Sequence, residues 1–158
     1  MSDICPTIRI QRIPECPVMP FPKRSSAGAS GFDICAALEN PLVIKKGERA
    51  LIPSGFKIAP PPGWEIQVRP RSGLALKQGI AVLNSPGTID QDYRGPLMVI
   101  LINLGESDFT INPGDRIAQI VPQRIYPIEI EEVNSFEDRT QRGEDGFGST
   151  GICPIALT

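Results

Sequence analysis

Arg49-Ala50-Leu51-Ile52-Pro53-Ser54-Gly55-Phe56-Lys57-Ile58-Ala59-Pro60-Pro61-Pro62-Gly63-Trp64-Glu65-Ile66-Gln67-Val68-Arg69 is the stretch on which the fold turns. Residues 49–52, 56–59 and 64–69 are rich in β-branched or aromatic side chains, and Pro and Gly clusters separate them. That composition suits a pleated, half-buried surface, so each piece reads as a short strand. Residues 7–13, 42–44 and 97–104 read the same way. Seventeen prolines and fifteen glycines are spread along the chain, the punctuation of many strands joined by turns. Lys46-Gly47 and Asn112-Pro113-Gly114-Asp115 have the composition of tight reversals, the second with Pro and Gly where a type II turn prefers them. Each is expected to join antiparallel neighbours. Only Ser72–Gln78 has the composition of a helix, with Gly79 placed to end it. The prediction is an all-β sandwich or jelly roll whose many strand edges are closed within the domain or against partners.

Composition narrows the function. A chain of 158 residues, 41% hydrophobic, is expected to form a single domain with a real core. A net charge of -2 argues against broad binding to nucleic acid or to a membrane surface, so any polyanion must meet a local basic site. Cys5, Cys16, Cys35 and Cys153 show neither zinc-ligand nor disulfide spacing. With no leader-like N-terminus and no long apolar run, a soluble cytoplasmic protein is expected. The sequence contains no histidine, which removes the usual base of Ser and Cys hydrolases. A hydrolase of this composition would move its proton with a carboxylate.

Several stretches could carry chemistry. Residues 134–158 are charged and Gly-rich after the strand pattern stops at Val133, and are expected to form a mobile C-terminal arm beyond a domain of residues 1–133. The arm contains Gly146-Phe147-Gly148-Ser149-Thr150-Gly151, the spelling of a dinucleotide fingerprint without its strand, helix or downstream acid. Its backbone N–H groups and hydroxyls could still wrap a phosphate, with Phe147 covering a base; the alternative is an ordinary tail. Arg71, Arg116 and Arg142 lie at turns, where a guanidinium could pair with phosphate or simply face solvent. Ser72 could help receive an anion or act as a helix N-cap. Asn84 to Gly95 has turn signals on either side of Ile89, which would bring Asn84 and Tyr93 together on a hairpin. Asn can read a pyrimidine edge, Tyr93 could pack under a sugar, and Asp90 or Asp92 could hold a water, unless the hairpin is merely polar. Asp33, in a small-residue loop running into a strand, could face a metal's water shell or bond the loop backbone.

The order of these pieces is their strongest feature. Ser30-Gly31-Phe32-Asp33, Pro70-Arg71-Ser72-Gly73-Leu74-Ala75, Gly87-Thr88-Ile89-Asp90 with Tyr93-Arg94-Gly95, Gly114-Asp115-Arg116-Ile117-Ala118-Gln119, and Arg142 with residues 146–151 resemble, in sequence, the five motifs of trimeric dUTPases. The resemblance spans about residues 27–151. It implies a jelly-roll-like, distorted β-barrel in a homotrimer, with one short helix and each active site built from three chains.

The same resemblance implies hydrolysis of dUTP to dUMP and pyrophosphate, which keeps uracil out of DNA and supplies dUMP for dTMP synthesis. Asp90 would activate the attacking water. Asn84, with the neighbouring backbone of Gly87, Thr88 and Ile89, would read uracil, and Tyr93 would exclude ribose. Arg71, Ser72, Gly73, Arg116, Gln119 and Arg142 would hold the phosphates, while Phe147, Gly148, Ser149 and Thr150 would close over the nucleotide. Mg²⁺ would be held mainly by substrate phosphates and waters, with Asp33 reaching it through water. Asp145 departs from the fifth motif, which commonly has Gly there, and with Glu144 should weaken triphosphate binding modestly. Cys35 reads as a buried small apolar residue. Competing expectations are a dCTP deaminase or bifunctional enzyme of the same fold, and a non-catalytic trimeric nucleotide-binding protein.

Overall fold

The structure, a computed structural model, describes residues 5–136 and 140–146. It divides the chain into two units, Met1–Tyr126 and Pro127–Thr158. Within the first, the described strands are β1 (Arg9–Arg12), β2 (Phe32–Cys35), β3 (Leu42–Ile44), β4 (Arg49–Ala59), β5 (Trp64–Arg69), β6 (Ile80–Val82), β7 (Gly87–Ile89), β8 (Pro96–Asn103), β9 (Phe109–Ile111) and β10 (Arg116–Arg124). Among the described residues a single helix, α1 (Ser72–Gln78), separates β5 from β6. No described helix is long and apolar enough to cross a membrane. The described residues of the second unit contain neither helix nor strand.

Two four-stranded sheets, in the orders β1-β4-β8-β6 and β2-β10-β5-β7, are joined by a small β3-β9 pair. Every pairing is antiparallel. The inward-facing aliphatics form one core, including Ile34, Ile52, Ile66, Val99 and Ile120, none more than 2% exposed. Burying side chains of this size contributes about 1.5–3 kcal/mol each, which holds two small sheets together against their ordering entropy.

The expected all-β class holds, with corrections in detail. Residues 49–52 and 56–59 belong to one strand, β4, whose register against β8 shifts between Pro53 and Lys57. Gly55, at φ 79°, supplies the left-handed backbone conformation within that irregularity. Asn112 to Asp115 makes the expected turn, with Asp115 N–H donating to the Asn112 carbonyl at 3.1 Å and Gly114 at φ 83°. Neither it nor the Lys46-Gly47 turn joins paired neighbours, because β3 pairs with β9 while β4 and β10 enter the larger sheets. Turn chemistry fixes a reversal of the chain, and the core decides which strand lies alongside. For the same reason Asn84 to Gly95 is no hairpin: β6 pairs with β8, and β7 crosses to β5 with Ile89 opposite Ile66. Helix α1 ends at Gly79, at φ 67°, as expected, but its N-cap is Arg71, and Ser72 is the first helical residue.

Candidate active site

Asp33, on edge strand β2, gathers the first cluster. Its Oδ1 lies 3.3 Å from Nε of Arg71, and its Oδ2 lies 3.1 Å from Nη1 of Arg116. Ser25 Oγ donates to the same Oδ2 at 3.1 Å. Strand register explains the convergence, since Gln119 of β10 faces Asp33 on one side and Arg69 of β5 on the other. From the end of β5, Arg71 reaches back across β10, and its Nη1 donates to the Arg116 carbonyl at 3.0 Å. Gln119 Nε2 ties down the same corner by donating to the Pro70 carbonyl at 3.0 Å. Ser72 and Gly73 are exposed beside it, and a side chain at Gly73 would meet open space.

A cavity of about 380 Å³ lies against this cluster, lined by Lys23, Arg24, Ser25, Asp33, Cys35 and Arg116 among others. Three cations against one carboxylate make it basic on a chain of net charge -2, the kind of local basic site that any polyanion would have to meet. Cys35 is half-buried on this cavity rather than fully buried. Burial pushes its thiol pKa up and the nearby Asp33 carboxylate adds to the effect, against Arg116 and Arg71, so the thiol stays protonated at neutral pH.

Asn84, Gly87, Thr88, Ile89, Asp90 and Tyr93 line a second cavity, of about 290 Å³, with Leu51, Val68, Pro96, Met98 and Ile100 supplying apolar wall. Its size and mixed lining suit a small planar ring with a polar edge. Gly87 is buried, and the Asn84 Nδ2 lies 3.0 Å from where a Cβ on Gly87 would stand, so glycine there lets the amide pack close. Tyr93 is held at its hydroxyl end: the hydroxyl donates to the Pro96 carbonyl at 3.0 Å, and that end of the ring occupies the space a side chain on Gly95 would need. Tyr93 is nonetheless 41% exposed, so a ligand in the cavity can press against it. Asp90 is exposed, and its carbonyl accepts the Tyr93 N–H at 3.1 Å.

The two cavities share no lining residue. β2 and β7 are the opposite edges of one sheet, separated by β10 and β5, about 14 Å at roughly 4.8 Å per strand. One chain therefore assembles a basic anion cluster and a ring-sized pocket but does not merge them. In the second unit, Arg142 is exposed, its Nε donating to the Asp145 carbonyl at 2.8 Å in a local turn with Gly143 at φ 56°. Glu144 and Asp145 are both exposed. Phe147, Gly148, Ser149, Thr150 and Cys153 lie outside the described residues. Sequence reading missed Ser25, Lys23 and Arg24, which no motif marks, and Gln91, whose bond to Gly63 spans 28 residues.

For a metal, the donor set is thin. Among the described residues no three acidic or thiol side chains gather into a group able to hold an ion. A lone carboxylate beside a basic cavity fits magnesium that arrives on a polyphosphate and keeps its waters, rather than a protein-built cage.

A model of the dUTPase family matches residues 18–151. The chain is 53% identical over 141 residues to the deoxyuridine 5'-triphosphate nucleotidohydrolase of Caulobacter vibrioides, covering 85% of this chain and 87% of the relative. It is 50% identical over 152 residues to that of Mesorhizobium japonicum, covering 95% and 94%. Among solved structures, a Staphylococcus bacteriophage 80alpha dUTPase mutant with dUpNHpp superposes with a TM-score of 0.81 at 25% identity, covering 92% of this chain and 99% of that one. A mutant dUTPase from phage phi11 of S. aureus, described as coordinating a structural Mg(II) ion, shares the fold with a TM-score of 0.73 at 23% identity, covering 84% and 99%.

Proposed function

The chain belongs to the dUTPase family, and from that premise we propose that it hydrolyses dUTP to dUMP and pyrophosphate at sites shared between the subunits of a homotrimer. The observation that carries this reading is the ring-sized cavity with Asn84 and Tyr93 in its wall and Asp90 at its rim. Uracil presents two carbonyl acceptors and one N–H donor, which an amide side chain and neighbouring backbone can match. A thymine methyl group would need space that a well-fitted pocket withholds. Tyr93 faces the sugar, where a 2′-hydroxyl would collide with a ring that cannot retreat.

Asp90 orients a water and takes its proton as the water attacks the α-phosphorus. A carboxylate base suits a chain without histidine. Arg71, Arg116, Arg142, Ser72, Gly73 and Gln119 hold the phosphate chain, which places β- and γ-phosphates in a basic environment and fixes pyrophosphate as the leaving group. Magnesium, when bound, neutralises phosphate charge and restricts the chain to a reactive conformer. Asp33 holds Arg71 and Arg116 in place and would meet the ion through water when it is bound. The arm, residues 134–158, closes Phe147 over the base with Gly148, Ser149 and Thr150 on the phosphates, excluding bulk water. The product serves thymidylate synthesis, and the hydrolysis limits uracil in DNA.

Assembly is supported by the outer face of the β4-β8 sheet. Alternation along β8 buries Leu97, Val99 and Leu101, yet the opposite face carries Met98, Ile100 and Ile102, with Leu51 opposite Ile100 at 58% exposure. A solvated sheet face would carry polar residues there, so this one calls for a partner surface. The second cavity opens on the same face, since Leu51, Met98 and Ile100 line it. A neighbouring subunit docked there could bring its own Asp33 cluster to the rim.

The test is pyrophosphate release from dUTP, UTP, dTTP and dCTP, with and without Mg²⁺, alongside ammonia release from dCTP. Rapid release from dUTP alone, dependent on Mg²⁺, is expected; ammonia from dCTP or no pyrophosphate from dUTP would sink the assignment. For the sugar wall, Tyr93→Ala should lower the dUTP over UTP preference in kcat/KM by roughly tenfold or more, the scale of one lost steric contact. An unchanged ratio would remove Tyr93 from that role.

A further inference from the structure

We propose that Gln91 is a positioning residue for this reaction, anchoring the Asp90 loop to the rigid turn between β4 and β5 through a hydrogen bond to Gly63. The inference rests on the assignment of Asp90 as base. Residues 90–95 form a loop between β7 and β8 that is exposed from Asp90 to Arg94. Much of its bonding is internal: Tyr93 N–H to the Asp90 carbonyl at 3.1 Å, and Arg94 Nη1 to the carbonyls of Gln91 and Tyr93 at 2.8 and 2.6 Å. Such bonds fix the loop's shape but not its placement on the protein. Toward its C-terminal end the placement comes from Gly95, whose carbonyl accepts the Ile58 N–H at 3.2 Å. Beside Asp90 it comes from Ile89, paired with Ile66 across β7-β5, and from Gln91, whose Oε1 accepts the Gly63 N–H at 2.8 Å.

Gly63 is a firm anchor. It follows Pro60, Pro61 and Pro62, three residues with fixed φ, and sits at φ 77° itself, where a side chain would be strained. Its carbonyl accepts the Ile125 N–H at 2.9 Å, extending the β5-β10 ladder by one rung, and Trp64 N–H closes the turn onto Pro61 at 3.1 Å. Gln91 thus ties the residue after the proposed base to backbone held on two sides. A base must meet its water within hydrogen-bond tolerance, and a misplacement near 1 Å can cost about a hundredfold. Losing the Gln91 anchor should cost less, because β7 still pairs with β5 up to Ile89 and Arg94 still holds the loop's shape.

The substitution Gln91→Met keeps length and removes the acceptor. It is expected to lower kcat for dUTP about tenfold, with KM within about twofold and the melting temperature unchanged, the pattern of an interaction realised in the transition state. Gln91→Glu keeps an acceptor oxygen and, at 0.15 M salt where its added charge is screened, should recover at least half of the parental kcat. Amide hydrogen exchange read by NMR on the full chain reports the bond without reference to activity: the Gly63 amide should be protected in the parent and exchange about tenfold faster in Q91M. Parental kcat in Q91M, equal losses in Q91M and Q91E, or an unprotected Gly63 amide in the parent would each overturn the proposal. If instead the parent itself releases no pyrophosphate from dUTP while Gly63 is protected, the assignment of the reaction has failed and the anchor stands.

Discussion

Replacing Asp90 with Asn is expected to leave dUTP affinity within a few-fold of the parent while lowering turnover by roughly 10²- to 10⁴-fold, the range that removing a general base produces. The substitution is close to isosteric and its site is exposed, so neither a core cavity nor a buried unpaired group arises to confuse the result. The loop should keep its geometry as well, because the bond from Tyr93 goes to the Asp90 backbone carbonyl, which the change does not touch. What disappears is the negative charge that attracts a proton from the attacking water. Equilibrium binding of dUTP by calorimetry and single-turnover pyrophosphate release separate the two effects. Turnover equal to the parent would assign the base elsewhere, with Asp92, two residues on and also exposed, the first residue to examine.

Truncation after Val133 should have the second large effect, a loss of more than about a hundredfold in kcat/KM with little change in melting temperature. Stability should survive because the buried core of the described residues lies in the Met1–Tyr126 unit. Activity should not, because Arg142 and the hydroxyl and backbone donors of the arm leave together, and removing a single aligned donor from a developing anion can cost about 10²- to 10³-fold. Circular dichroism, sedimentation and the pyrophosphate assay on one preparation check all three expectations. An undiminished rate would refute closure of the arm over the nucleotide.

Much of the β framework is legible in residue order. β3 and β5 follow from short runs of branched and aromatic residues between turn signals, and α1 from Leu74, Ala75, Leu76 and Lys77 stopped by Gly79. β10 is far less legible. Arg116–Arg124 shows no clean alternation and contains Pro122, and it is a strand because β2 and β5 flank it. Its pairing with β2 ends at Ile120, so Pro122 lies where one side of the strand has no paired neighbour and the missing N–H is tolerated. β4 reads as two pieces for a related reason, since Pro53 and Gly55 look like a break until β8 lies alongside.

The site divides in the same way. Residues whose chemistry is stated by type, such as Asp33, Arg71, Arg116 and Gln119, are found in one cluster, and Asn84, Asp90 and Tyr93 around one cavity. Ser25 and Gln91 are silent in sequence because their bonds span 8 and 28 residues and depend on where unrelated loops come to rest. Pairing between strands is equally unwritten: the crossing of β7 to the second sheet is what sets the pocket and the arginine cluster at opposite margins.

That separation has a genetic consequence under the proposed assembly. Each polypeptide would lend its pocket to one reaction chamber and its arginines to another, so a cell making intact and damaged copies together would dilute its working chambers faster than its intact chains. Two damaged alleles, one lacking Asp90 and one lacking Arg71, could nonetheless restore a fraction of chambers in mixed assemblies, because the intact halves would meet across a subunit boundary.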